Sequence, residues 1–201
     1  MSNSRSSNKN SWRVLDIVVA SVIAVACGLI FWIWNSIGYA WFVALDAFTP
    51  GLGGLVAGIW LLGGVLGGII IRKRGAAIYV EVLAACVSAV LGNIWGIETV
   101  LSGLAQGIGA EIVLAMFFYR KFTLPVAILS GIGAGAGAWA LELVTRANFA
   151  KSLSYNLTYL SCLAISGAFL AGLLGYMLMR SLAQTGVLDR FSAGRETRQV
   201  I

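Results

Sequence analysis

Histidine is absent from the 201-residue sequence, and cysteine is scarce. Without histidine, the chain cannot form imidazole general bases, histidine-ligated metal sites or Ser-His-Asp triads. The three cysteines, Cys27, Cys86 and Cys162, lie singly within apolar stretches and form no CxxC pair. Isolated cysteines in such surroundings are typical of core packing rather than of disulfides or zinc sites.

Charged residues are also scarce. They make up 11% of the chain, which is under half of the share of about 25% in a soluble domain. Hydrophobic residues account for 59% and the mean hydropathy is +0.89. The apolar residues come in runs of roughly the 20 residues that a helix needs to cross a bilayer. The sequence therefore predicts an all-α membrane protein with six transmembrane helices, forming a single integral membrane domain over residues 1–201.

Polar segments set the boundaries of the predicted spans. Residues 1–11 are expected to be a disordered N-terminal tail, and residues 184–201 a cytoplasmic tail. Residues 35–50, rich in aromatic side chains, are expected to form an outer loop, either an interfacial belt or a lid over a pocket. The spans themselves are predicted over residues 14–34, 51–71, two within the hairpin 72–120 that turns at residues 92–96, 124–144 and 157–179.

Lysine and arginine are distributed unevenly along the chain. Twelve of the fourteen fall in four segments: the N-terminus, Arg72–Arg74, Arg120 with Lys121, and the C-terminus. These segments are alternate loops, as the positive-inside rule requires, and they place both termini in the cytoplasm. The net charge of +6 therefore reports membrane topology rather than a surface for nucleic acid.

Three polar side chains interrupt the apolar runs of the central hairpin: Glu81, Gln106 and Glu111. A carboxylate at membrane depth costs several kcal/mol or more unless it is paired, hydrated or neutral. The hairpin is therefore a candidate polar site between helices. Each residue also has a structural alternative, because Glu81 could be a capped structural carboxylate, and Gln106 with Glu111 could be interhelical hydrogen-bond partners.

Aromatic residues add to this candidate site. Trp60 lies in the middle of its span, where it either contacts lipid or lines a site, and Asn93 either serves the hairpin turn or binds ligand. Tryptophan faces attract cations and stack on rings, and carboxylates accept hydrogen bonds from amines. The combination favours a flat, cationic or amine-bearing heteroaromatic ligand.

Several segments together resemble one known family. They are the pattern RKRGAA…E…AA…LGN…AQGIGAE in the hairpin, GIW at residues 58–60, SGAFLAGLLG at 166–175 and LAQTGVL at 182–188. This pattern resembles the YkoE family, the substrate-binding S components of energy-coupling-factor (ECF) vitamin transporters linked to thiamin and its hydroxymethylpyrimidine precursor. The resemblance extends over most of the chain, from Trp12 to Leu188.

The resemblance implies a six-helix subunit that captures thiamin or hydroxymethylpyrimidine from outside the cell. It implies as partners a transmembrane coupling protein and ATPase subunits, with ATP bound only on those partners and no cofactor on this chain. The stripe Ala20-x-x-x-Ala24 is similar to the small-residue motif with which S components dock on the coupling protein. The ligand-binding set carried over by the resemblance is Trp60, Glu81, Asn93, Trp95, Gln106 and Glu111.

Within that set, the two carboxylates are expected to differ. By helical rise Glu81 lies deep, toward the cytoplasmic side, so Glu81 either contacts ligand through a tilted or irregular span or is structural, whereas Glu111 is expected to contact ligand. Two other functions remain open from the residues alone. The chain could be an intramembrane enzyme that uses Glu81 and Glu111 as acid and base, or a proton-coupled secondary transporter, although its halves show no clear repeat.

Overall fold

The computed structural model describes residues 11–198, and the chain in that range is helical without β-strands. Most of the predicted N-terminal tail, residues 1–10, and the last three residues of the C-terminal tail lie outside this range. Two 3-10 helices (Leu52–Leu61 and Asn148–Ala150) and a π-helical stretch (Gly167–Leu173) accompany eight α-helices. These are α1 (Val14–Phe48), α2 (Leu62–Ile71), α3 (Ala76–Val90), α4 (Glu98–Met116), α5 (Leu124–Thr145), α6 (Leu153–Ser166), α7 (Leu174–Gln184) and α8 (Ser192–Arg198).

Five helical segments in the described range are long and apolar enough to cross a bilayer: Val14–Phe48, Leu52–Ile71, Glu98–Met116, Leu124–Thr145 and Leu153–Gln184. Helix α3 is apolar but has only 15 residues, which correspond to about 22 Å of helix. The fold is therefore that of an all-helical membrane protein with five candidate spans and one shorter apolar helix between them.

The first helix is longer than the sequence predicts. It continues for 35 residues to Phe48, so the expectation of an outer loop over residues 35–50 is wrong. No proline interrupts the chain before Pro50, and the residue before a proline is pushed to extended backbone. Accordingly, Thr49 is extended (φ −145°) and Gly51 adopts φ +98°. The aromatic residues after Trp34 thus belong to four further turns of a rigid helix.

The segment Leu52–Ile71 lies at the centre of the bundle. All ten residues of α2 are buried, and its glycines allow α3 and α4 to approach closely. A Cβ built on Gly67 would lie 2.5 Å from Val80 Cγ2, and one on Gly68 would lie 2.5 Å from Leu114 Cδ1. Small residues at four-residue spacing are the usual means of such close helix packing in membranes.

The glycine run of α5 serves the same purpose. A Cβ on Gly131 would lie 2.0 Å from the carbonyl oxygen of Gly167, and one on Gly133 would lie 2.5 Å from that of Gly109. These contacts bring α5 against α4 on one side and against the π-helical stretch on the other. The run is therefore a packing surface.

The small-residue stripe of α1 is also used inside the chain. Ala20 and Ala24 are both 0% exposed and belong to the hydrophobic core, and Gly28 lies against Ala84 and Val87 of α3. The sequence-based expectation that Ala20 and Ala24 form a docking stripe does not fit this burial. Both side chains already have neighbours within the chain, so neither is available to a partner on this surface.

Part of the predicted C-terminal tail packs back on the bundle. Leu188 and Phe191 are 2% and 4% exposed, and Arg72 forms an ion pair with Glu196 at 2.7 Å. We refer to the end of the bundle that carries Arg72–Arg74 and this segment as the basic end. The opposite end, where α1, α3 and α5 finish, contains the cavity described next.

Candidate functional site

A cavity of about 250 Å³ opens at the end of the bundle opposite the basic end. Its walls come from the C-terminal half of α1, the 3-10 helix Leu52–Leu61, α3, the first half of α4, and the ends of α5 and α6 that face each other. We call its exposed rim, formed by Asp46, Glu98, Arg146 and Lys151, the mouth. Aromatic side chains line the walls, and a carboxylate lies at the floor.

Glu81 supplies that carboxylate. Glu81 is 1% exposed, and its Oε2 accepts a hydrogen bond from the backbone N–H of Gly64. The two glycines of the central helix make room for it, since a Cβ on Gly63 would lie 2.9 Å from Oε2. Among residues 11–198, no lysine or arginine forms an ion pair with Glu81. The site therefore holds a buried carboxyl group without a cationic partner, although such a group is costly to desolvate.

Gln106 holds the second oxygen of Glu81. With its amide oriented to satisfy its neighbours, Gln106 Nε2 donates to Glu81 Oε1 at 3.1 Å and to the carbonyl oxygen of Trp60 at 3.0 Å. Its side-chain oxygen accepts from Ser102 Oγ at 2.7 Å. The ladder Ser102–Gln106–Glu81 thus links α4 to α3 across the floor of the cavity.

Two tryptophans form the aromatic part of the wall. The rings of Trp60 and Trp95 meet edge to face with centroids 6.0 Å apart, and Trp95 meets Tyr39 in the same way at 5.0 Å. Phe42 and Tyr159 continue the wall at 6.1 Å from each other. This surface offers ring faces and edges to a planar ligand.

Asn35 fixes the orientation of Trp60. The indole Nε1 of Trp60 donates to Asn35 Oδ1 at 2.9 Å, and Asn35 Nδ2 donates to Ser88 Oγ at 2.9 Å. Asn35 therefore connects α1, the 3-10 helix and α3. Asn35 lies in the part of α1 for which the sequence predicts a loop, and for that reason it is absent from the expected ligand set. The spacing of Asn35, Tyr39, Phe42 and Asp46, one face of a helix, was the available signal.

Asn93 lies beside the cavity rather than in its lining. Its Oδ1 accepts hydrogen bonds from the backbone N–H groups of Trp95 and Gly96, both at 2.9 Å, and from Thr99 Oγ1 at 3.0 Å. These bonds close the turn between α3 and α4 in the manner of an Asx turn. Asn93 thereby holds Trp95 at the wall.

Glu111 lies outside the cavity, near the basic end. Its carboxylate accepts from the N–H groups of Gly75 at 2.6 Å and Ala77 at 2.9 Å, and from the Tyr119 hydroxyl at 2.8 Å. It therefore caps the N-terminus of α3, where unpaired N–H groups and the helix dipole favour an anion. Burial and the bond to Glu111 raise the pKa of Tyr119 to about 12.

The two carboxylates of the expected ligand set lie in different places. Glu81, whose role was open between ligand contact and structure, lines the cavity, whereas Glu111, which was expected to contact ligand, does not. Glu81 lies deep in the bundle and still lines the cavity, because the cavity extends inward as far as this side chain. Of the six side chains in the expected ligand set, the cavity brings together Trp60, Glu81, Trp95 and Gln106.

The mouth carries charges of both signs. Arg146 and Glu98 form an ion pair at 3.3 Å, Asp46 Oδ1 accepts from the N–H of Gly51 at 2.7 Å, and the Lys151 ammonium lies 4.0 Å from the centre of the Tyr155 ring. The mouth is thus polar, while the walls below it are aromatic.

Three comparisons with known proteins all match membrane transport components. The family described as the permease component of an ABC-type cobalt transport system matches residues 15–137. A relative from Bacillus subtilis (strain 168) that bears the name HMP/thiamine permease protein YkoE is 36% identical over 189 residues, which are 94% of each chain. A solved structure described as the crystal structure of an S-component of an ECF transporter matches with a TM-score of 0.80 and 32% identity, covering 94% of each chain.

Proposed function

The chain belongs to the YkoE family of substrate-binding S components of ECF transporters, and from that membership we propose that its cavity captures thiamin or hydroxymethylpyrimidine for uptake. The protein is a membrane-embedded transport subunit and not an enzyme. The name of the Bacillus subtilis relative contains the same two ligands. The chemistry of the cavity supports this assignment independently.

The observation that carries the proposal is the placement of Glu81 below two tryptophans. Thiamin joins an aminopyrimidine ring to a positively charged thiazolium ring, and hydroxymethylpyrimidine is the pyrimidine half alone. A carboxyl group without a cationic partner can accept a hydrogen bond from a ring amine or balance a cationic ring. The faces of Trp60 and Trp95 suit planar, electron-poor rings.

We propose that Trp60, Glu81, Trp95 and Gln106 contact the ligand. Asn93 acts through its bonds to the turn that carries Trp95, and Asn35 acts through its bond to Trp60. Glu111 is left out of the ligand set because its carboxylate already binds three donors away from the cavity. The cavity volume of about 250 Å³ lies just below the range of about 300–1,000 Å³ typical of ligand pockets, which favours a small ligand.

We further propose that α3 serves as the sixth span and that both termini are cytoplasmic, so that the mouth faces outward. The charge distribution supports this orientation, because Arg146 and Lys151 are the only lysine or arginine residues of the sequence outside the four basic segments. An excess of positive charge marks the cytoplasmic side of a membrane protein. The ligand would then enter from outside the cell.

Uptake by this subunit would need partners. We propose that it works with a transmembrane coupling protein and ATPase subunits, that ATP binds only to those partners, and that this chain carries no cofactor. Because Ala20 and Ala24 are buried within the chain, a partner that approaches α1 would meet its exposed face, which includes Val18, Val22 and Val25.

The matching family description names cobalt, but the lining of this cavity favours an organic ligand. Histidine is absent from the sequence, and residues 11–198 contain no group of three or more cysteine, aspartate or glutamate side chains placed to hold a metal ion. Aromatic rings, by contrast, make up much of the cavity wall. We therefore propose that this chain binds an organic ligand and not cobalt.

A binding experiment tests the proposal. The purified protein in detergent, without partners or ATP, should bind thiamin or hydroxymethylpyrimidine, with quenching of tryptophan fluorescence and a measurable heat in calorimetry. A pyrimidine without amine or hydroxyl groups serves as the control and should bind far more weakly. If neither thiamin nor hydroxymethylpyrimidine gives a signal at millimolar concentration, the ligand assignment is wrong.

A further inference from the structure

The cavity has a second carboxylate, Glu142, at a different depth from Glu81. Glu142 is partly exposed and lines the cavity. It precedes Arg146 at the mouth by one turn of α5, which corresponds to about 6 Å of helix. Ala138, Glu142 and Arg146 share one face of α5 by their four-residue spacing, and all three line the cavity. Glu142 therefore lies one helical turn below the mouth, whereas Glu81 lies at the floor.

Aromatic rings accompany Glu142, as they accompany Glu81. Glu142 interacts with the hydroxyl of Tyr159, and the ring of Tyr159 stacks on that of Tyr155 with centroids 5.8 Å apart and planes at 24°. Phe42 meets Tyr159 edge to face on the other side. We call the part of the cavity lined by Phe42, Glu142, Tyr155 and Tyr159 the outer half. The outer half thus repeats the combination of aromatic rings and a carboxylate found at the floor.

The charges of the cavity lining are predominantly negative. Among the described residues, the lining contains more carboxylates than basic side chains: Asp46, Glu81, Glu98 and Glu142 against Arg146 and Lys151. Both basic side chains interact with Glu142, but Arg146 also pairs with Glu98 at 3.3 Å, and the Lys151 ammonium lies over the Tyr155 ring. Two cations cannot neutralise four carboxylates. A lining with this charge balance attracts a cationic ligand more strongly than a neutral one.

A ligand that fills both halves of this cavity has two rings, each with a group suited to a carboxylate. Thiamin meets this requirement with its aminopyrimidine and its cationic thiazolium, whereas hydroxymethylpyrimidine offers only the first ring. We propose that Glu142, with the rings of Tyr155 and Tyr159, binds the cationic ring of a two-ring ligand. Glu81 then receives the aminopyrimidine at the floor. Glu142 thus determines specificity for thiamin over hydroxymethylpyrimidine, an inference that rests on the proposed function and chooses between its two ligands.

Three ligands test the inference in the unaltered protein: thiamin, hydroxymethylpyrimidine, and a thiamin analogue in which an uncharged thiophene ring replaces the thiazolium. Thiamin should bind at least about 10-fold more tightly than hydroxymethylpyrimidine, which leaves the outer half empty. It should also bind about 5- to 30-fold more tightly than the uncharged analogue, which fills the outer half without a cation. Thiamin binding no tighter than either of the other two would overturn the inference while leaving the proposed function in place. Binding of none of the three would overturn both.

Variants then locate the group that recognises the cation. Glu142→Gln should weaken thiamin binding by about 5- to 30-fold and change the affinity for hydroxymethylpyrimidine and for the uncharged analogue by no more than about 2-fold. Glu81→Gln should weaken thiamin and hydroxymethylpyrimidine alike, because both carry the aminopyrimidine.

Glu111→Gln, which changes a buried carboxylate outside the cavity, is the control and should leave both affinities within about 2-fold. Calorimetry in detergent measures all of them. A Glu142→Gln protein that binds thiamin as before, or that loses both ligands equally, would overturn the inference. If Glu142→Gln does not fold, the comparison of thiamin with its uncharged analogue in the unaltered protein decides.

Discussion

Glu81 and Glu111 lie on neighbouring helices, and both are buried, with exposures of 1% and 7%. Glu111 accepts hydrogen bonds from two backbone N–H groups and a tyrosine hydroxyl, and thereby caps α3. Glu81 accepts one bond from Gly64 and one from Gln106 and borders the cavity. Because two carboxylate oxygens offer about four acceptor positions, Glu81 keeps capacity for a ligand. Burial of a charge alone therefore does not identify a binding site, whereas unused acceptor capacity beside a cavity does.

The largest expected effect comes from Glu81. Glu81→Gln should weaken binding by about 1.5–3 kcal/mol, the range for a charge-assisted hydrogen bond, which corresponds to about 10- to 150-fold in the dissociation constant. The fold should survive, since glutamine can still accept from the N–H of Gly64 and the amide of Gln106 can rotate to match. Calorimetry on the detergent-purified variant measures the change. Glu111→Gln is the matched control, for which the affinity should stay within about 2-fold of the original.

The reverse effect is expected at Glu111. Glu111→Ala leaves the N–H groups of Gly75 and Ala77 and the Tyr119 hydroxyl without their acceptor, and we expect a loss of about 2–3 kcal/mol of stability. This loss corresponds to a decrease of about 5–10 °C in the melting temperature. The folded fraction should bind ligand as before. A Glu111→Ala protein with normal stability and weakened binding would reverse the assignment of the two carboxylates.

A smaller effect is expected at the wall above Glu81. Trp60→Leu removes an aromatic face and the donor to Asn35, and binding should weaken by about 1–2 kcal/mol, or about 5- to 30-fold. Trp139→Leu is a useful contrast, because Trp139 does not line the cavity; its change should alter affinity much less. Equal losses in the two variants would show that the effect comes from general disturbance of the fold rather than from contact with ligand.

The smallest effect is expected at the mouth. Glu98 and Arg146 are 31% and 44% exposed at their side chains, and an ion pair with this exposure contributes only about 0–1 kcal/mol. Glu98→Gln should therefore change the affinity by no more than about 5-fold, and the change should diminish as salt is added. A loss as large as that of Glu81→Gln would place the principal carboxylate at the mouth rather than at the floor.

The sequence predicts those parts of the fold that long apolar runs determine. It does not predict how far a helix continues beyond an apolar run, because that depends on tertiary contacts. Residues 35–48 contain Asn35, Asp46 and several aromatics, which together are typical of a loop at the membrane surface. They are nevertheless helical, and Asn35, Tyr39 and Asp46 lie on one face of that helix and line the cavity. The 3-10 helix Leu52–Leu61 was likewise not predicted, and its glycines Gly54 and Gly58 pack closely against α6, a contact that local sequence does not reveal.

The site was predictable in part, for a related reason. Trp60, Glu81, Trp95 and Gln106 stood out because such residues are unusual within apolar runs, and they meet in the cavity. Glu111 gave the same signal, but its partners are the backbone N–H groups at the start of another helix, and no spacing within α4 reveals them. Asn148, which lines the cavity and is buried, gave no signal at all, because an asparagine in a polar connection is ordinary until its burial is known.

The most direct test of the account is a structure of the protein with thiamin or hydroxymethylpyrimidine bound. We expect the ligand ring against Trp60 or Trp95, with a nitrogen of the ligand within about 3.2 Å of a carboxylate oxygen of Glu81. The bonds from Glu111 to Gly75, Ala77 and Tyr119 should be unchanged. A ligand that contacts Glu111, or that occupies the cavity without a polar contact to Glu81, would contradict the account.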